Sequence, residues 1–178
     1  MDATSFRAAW EASGDRLCQY PAVTISASKL PGGAKHFLTA AGLPVEAAPF
    51  LTFGQIALGW LGRPSEEQDW SYAIGCDGSG DPIVVDEQGA VWLIDHEAPT
   101  RRHLVNSSLP ALAECLLAYR ALVAEANTIG GEAAWLDGSI PIHLIDAFSR
   151  SVSAVDPAAV EAGTFWGGEL VRLISEAS

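Results

Sequence analysis

Apolar positions along this chain change rhythm twice, from helical spacing to alternation and back. Phe6 and Trp10 stand four apart on one helical face, and Gly14 follows as a stop. This predicts a short helix over about residues 4–13, capped by Thr4 or Ser5. A second short helix is predicted after Pro31, carrying His36, Phe37 and Leu38 and ending at Gly42 before Pro44. The run "PFLTFGQIALGWL" contains a strand, and the polar residues 62–69, "GRPSEEQD", form a surface loop.

The rhythm then becomes alternating. Trp70, Tyr72, Ile74 and Cys76 interleave with Ser71, Ala73 and Gly75, the period of a half-buried strand. "PIVVD" and "AVWLID" follow as strands, joined by the tight turn "DEQG", in which Gly89 takes positive φ. "DGSGD" is the connection before them, and "RHLV" at 102–105 is a short fourth strand.

Helical spacing returns with Leu109, Leu112, Leu116, Tyr119 and Val123, a long helix capped by Ser107 or Ser108 with Pro110 in its first turn. "GGEAAWLDGS" reads as a loop. A helix from Pro141 buries Leu144, Ile145, Phe148 and Val152. Asp156 caps a further element that starts at Pro157 and breaks at Gly163. The last helix carries Phe165, Trp166, Leu170, Val171 and Ile174. No internal repeat stands out. Helices, a meander of strands and helices again predict an α+β fold in a single domain over 1–178: a central, mostly antiparallel sheet flanked by N-terminal and C-terminal helices.

Composition narrows the function. Of 178 residues 49% are hydrophobic, enough for a proper core, and the formal charge is −12. That field repels nucleic acid and attracts basic partners. Arg101 and Arg102 are the only adjacent basic pair, so no nucleic-acid partner is expected. No apolar run spans a bilayer, and "MDATSFRAAWEASGDR" lacks the basic start and apolar centre of a secretory signal. Cys18, Cys76 and Cys115 lie far apart without CxxC, which predicts a reduced, cytoplasmic protein.

"DGSGD" invites three chemical readings, and each fails. Counted from Asp77 as a calcium loop, the sixth position is Pro82 and the twelfth Gln88, where a glycine and a bidentate Glu are required. As a phosphate cradle the loop has no Lys, and Asp77 and Asp81 repel an anion. As a nucleophile elbow, its "GSG" sits in a turn without the required flanks. Asp95-His96-Glu97 cannot converge from one regular strand, and His36, His103 and His143 are scattered. No catalytic residue, metal or cofactor is therefore expected. A hydrolase using His96 is the least favoured reading.

The residues do resemble a known family. "YAIGCDGSGDPIVVDEQGAVWLIDHE" followed by "LVNSSLPALAECLLAYR" is similar to the SUKH superfamily, above all to its immunity proteins of bacterial polymorphic toxin systems. "FLTAAGLPVEAAPFLTF" and "DPAAVEAGTFWGGEL" agree with it, so the likeness spans roughly residues 30–178. The resemblance implies an α+β fold and no catalysis. It also implies a cytoplasmic protein that binds and neutralises a cognate toxin, commonly a nuclease or deaminase domain. A general protein-interaction or small-ligand-binding module of the same fold is the alternative.

A basic toxin surface would meet acids. The candidates are Glu66, Glu67 and Asp69 in the polar loop, Asp77 and Asp81 at one strand connection, and Asp86 and Glu87 at the other. Each also reads as a solvated loop acid. Trp60, Trp70, Trp92 and Trp135 are candidate aromatic anchors. Trp70 and Trp92 fit the core better, and Trp135, in a loop, fits exposure. An unpaired edge strand is compatible with a monomer or a weak homodimer.

Overall fold

The first helix, α1 (Ala3–Glu11), starts one step earlier than its hydroxyls suggest. Asp2 is the cap, not Thr4 or Ser5: its carboxylate accepts from the Ser5 amide and the Ser5 hydroxyl, both at 2.9 Å. The structure is a computed structural model that describes residues 1–54, 72–98 and 101–177. The 62–69 loop, with Glu66, Glu67 and Asp69, lies outside the described residues, as do Trp60 and Trp70.

Short elements follow α1: β1 (Leu17–Cys18), α2 (Ala22–Ala27) and α3 (Gly32–Ala40). Helix α3 stops at Gly42, whose φ is +77°; a Cβ there would come within 2.1 Å of the Cys18 carbonyl oxygen. That close approach lets β2 (Leu43–Pro44) pair with β1. The main sheet comprises β3 (Glu46–Ala47), β4 (Leu51–Phe53), β5 (Tyr72–Cys76), β6 (Pro82–Val85), β7 (Val91–Ile94) and β8 (Arg102–Asn106). Its strands stand in chain order, and every neighbouring pair is antiparallel. In β5 only Ile74 of the alternating set is buried, because the register slips between Ala73 and Gly75.

The helices after the sheet are α4 (Leu109–Gly130), α5 (Ile142–Val155) and α6 (Phe165–Glu176). Ser108 caps α4 by accepting from Ala111, and Thr164 caps α6 by accepting from Gly167. One core joins helices to sheet, with Phe6, Phe37, Leu112, Tyr119, Phe148 and Trp166 packed with Ile83, Val85, Val91 and Val105. Phe6 is fully buried; a side chain of this kind contributes roughly 1.5–3 kcal/mol. The result is the α+β architecture that the rhythm of the sequence predicts, with the sheet flanked by helices from both ends of the chain.

Three further expectations need correction. Asp156 does not cap the short 3-10 turn Pro157–Val160 with its side chain. Its carboxylate instead reaches back to β8, accepting from the Ser107 amide at 2.7 Å and from Asn106 Nδ2 at 3.1 Å. The Asn106 carbonyl oxygen then accepts from Trp166 Nε1 at 2.9 Å, so three distant segments meet at one buried polar knot. Trp92 is half-buried and lies outside the main core, on the sheet face it shares with Val84 and Leu104. Arg102 covers its ring at 4.7 Å.

The third correction concerns repetition. Asp77, Asp86 and Asp95 stand nine residues apart, and each opens a turn. Asp77 Oδ1 accepts from the amides of Ser79 and Asp81, and Asp86 Oδ1 from those of Gln88 and Ala90. Asp95 Oδ1 accepts from Glu97 and Ala98. In the first two turns a glycine with positive φ, Gly80 or Gly89, closes the reversal before a four-residue strand. A sheet unit of nine residues is thus written twice, although no single stretch of sequence repeats.

Candidate functional site

The described candidate acids fall into two groups. Register places the Asp77–Asp81 turn and the turn after β7 at one end of the sheet, and the Asp86–Ala90 turn at the other, a strand length of roughly 13 Å away. At the far end Asp86 is turned inward, its second oxygen accepting from Trp92 Nε1 at 2.8 Å. Glu87 points outward and pairs with Lys29 at 3.0 Å. Asp77, Asp81, Asp86 and Glu87 therefore do not form one continuous patch.

At the near end Asp81 joins two turns. Its Oδ1 accepts from the His96 amide at 3.0 Å and contacts His96 Nδ1. This bond to the carboxylate raises the imidazole pKa above its ordinary value, more than the loss of water lowers it. Asp95 is occupied with its own turn and with Arg101, 3.5 Å away. The Asp95 and His96 side chains thus turn to separate partners. Among the described residues no group of three or more His, Cys, Asp or Glu side chains is placed to hold a metal ion. Nor, among them, is any helix long and apolar enough to cross a membrane.

Beside this end lies a groove of about 450 Å³ lined by β3 and β4, Ala48, Phe50, Gly78 and Trp135. Phe50 occupies the turn between β3 and β4 with φ +56° and is 61% exposed. A bulky residue in the left-handed region costs roughly 1 kcal/mol or more, so nothing local favours this ring here. Gly78, in the middle of "DGSGD", comes so near that a Cβ on it would sit 3.1 Å from Phe50 Cβ. The loop is an ordinary turn by its hydrogen bonds, yet it forms a wall of this groove.

Trp135 is half-buried, less open than its loop position suggests, and its ring lies 5.2 Å from that of Phe50. Its Nε1 donates to the Tyr119 hydroxyl at 2.9 Å. That hydroxyl in turn donates to Glu169 on α6, which Arg172 holds at 2.9 and 2.7 Å. Burial is the main reason the Tyr119 hydroxyl titrates well above the usual phenol range, so it stays protonated as the donor. The groove floor is therefore wired into two core helices.

Sequence reasoning singled out Trp135 but missed Phe50, which opens the run "PFLTFGQIALGWL" read as containing a strand. The available signal was the "AAPF" segment, where a proline precedes an aromatic between two very short strands.

Comparison with known proteins adds the lineage. No curated protein and no solved structure matches the chain significantly. The family described as SUKH-4 immunity protein matches it over residues 5–172, nearly its whole length. A meander with aspartate-opened turns and helices on both sides of it in the chain is thus the frame of an immunity protein, and this chain belongs to the SUKH-4 immunity protein family.

Proposed function

We propose that the protein binds a cognate toxin, a nuclease or deaminase domain, and neutralises it stoichiometrically without catalysis. The observation that carries this reading is the match to an immunity family over residues 5–172. Charge supports it: a nuclease that grips phosphates is basic where it does so, and a chain of formal charge −12 is steered toward such a surface. The protein acts in the cytoplasm as a monomer or weak homodimer, and affinity falls as salt rises.

Co-expression with the toxin encoded in the adjacent reading frame tests the proposal. Growth should be rescued, and a complex with one copy of each partner should co-purify. Persistent growth arrest with no complex would remove the toxin reading. Protection that survives charge reversal of Glu66, Glu67, Asp69, Asp77, Asp81, Asp86 and Glu87 together would remove only those acids from it.

A further inference from the structure

We infer that the groove between β3, the Asp77–Asp81 turn and Trp135 is the face that grips the toxin, and that it takes an apolar side chain set among Lys or Arg residues. This rests on the toxin-binding reading above and adds the surface and the chemistry of its occupant.

Phe50 supplies the apolar part of this face. A large ring is held open to water in a backbone conformation that costs free energy, and such strain persists where the surroundings enforce it. Those surroundings are tied to the core: Trp135 packs against the ring at a 35° tilt and is itself hydrogen-bonded to buried Tyr119. Aromatic anchors that lose little freedom on binding dominate many interfaces. Leu136, beside Trp135 in the chain, is 66% exposed and extends the apolar surface.

The rim of the groove is acidic. Among the described residues that line the groove, Glu46 is the one charged residue, and neither Lys nor Arg joins it. Asp77 and Asp81 flank Gly78 in the adjoining turn, and Glu132 and Asp137 lie exposed in the loop that carries Trp135. A second copy of this acidic chain would bring like charge against like, and nucleic acid would do the same. A basic protein surface fits both the ring and the rim.

The test uses the full chain and the catalytically inactivated toxin domain from the adjacent reading frame, with affinity measured at low and high salt. Phe50→Gly removes the ring and relieves the left-handed strain, so the protein keeps its fold, checked by thermal unfolding, while affinity drops by about tenfold or more. Glu46→Lys weakens binding at low salt and flattens the salt dependence. Glu161→Lys, exposed just after the 3-10 turn that packs on β8, the sheet edge opposite β3, changes affinity by no more than about twofold. If the wild-type chain binds tightly but both groove variants bind equally well, the groove assignment falls and the immunity reading stands. If the wild-type chain does not bind, both fall together.

Discussion

Two regions of this molecule break the usual sorting of polar and apolar groups, in opposite directions. At the knot between β8, α5 and α6, Asn106 and Asp156 are polar side chains inside the protein. At the groove, Phe50 is a large apolar side chain outside it. The knot settles its own account: Asp156 takes two donors, and Asn106 serves Asp156, Cys115 and Trp166. The groove does not, since Trp135 meets one side of the Phe50 ring and the side chain stays 61% exposed. An exception satisfied internally explains folding, whereas one left open points to a partner.

The contrast can be broken most forcefully at Cys115, which faces the knot from α4. Burial is the main cause that pushes its thiol up to about 12. At pH 8 the native thiol should react with a small alkylating reagent about a thousandfold more slowly than an ordinary one. Mass spectrometry before and after denaturation reads this directly, and rapid labelling of the native protein would show the knot to be open.

Asn106→Ala comes next. It leaves the buried Trp166 indole without its acceptor and takes a donor from Asp156, an expected loss of about 2–4 kcal/mol. Urea unfolding should show a lower midpoint at unchanged slope. A smaller loss, about 1 kcal/mol, is expected for Asp86→Ala, because the two amides and the Trp92 indole it serves lie nearer to water. Equal losses in the two variants would erase the distinction between knot and turn.

The mildest test is the Asp81–His96 bridge at the groove end. The folded imidazole titrates above its unfolded value, so the bridge stabilises fully below the unfolded pKa and fades as pH rises through the folded one. NMR titration should find His96 raised in the wild type and returned toward the ordinary range in Asp81→Asn. An unmoved titration would mean that the two turns are not coupled.

Much of this frame could be read from residue order. β6, β7, the "DEQG" turn, the Ser108 cap and the buried face of α5 all follow from local signals that the fold leaves intact. The illegible parts depend on distant partners. Two-residue strands such as β1 and β3 carry no periodicity. The Tyr20 hydroxyl, which donates to the Ile74 carbonyl and accepts from the Gly54 amide, ties the first of these regions to the sheet. Asp156 beside Pro157 imitates a helix cap, and only the arrival of β8 gives its carboxylate a better pair of donors. Phe50 misleads for the same reason, because "PFLTF" reads as strand until the turn claims its aromatic.

The aspartate at every ninth position carries a topological consequence. Each unit reverses the chain once, so the number of units decides from which end of the sheet the chain departs into α4. Losing one unit would send that helix off from the wrong end. A related chain with a broader or narrower meander must add or drop such units in pairs, and gaps of that double length are where its alignment to this one should open.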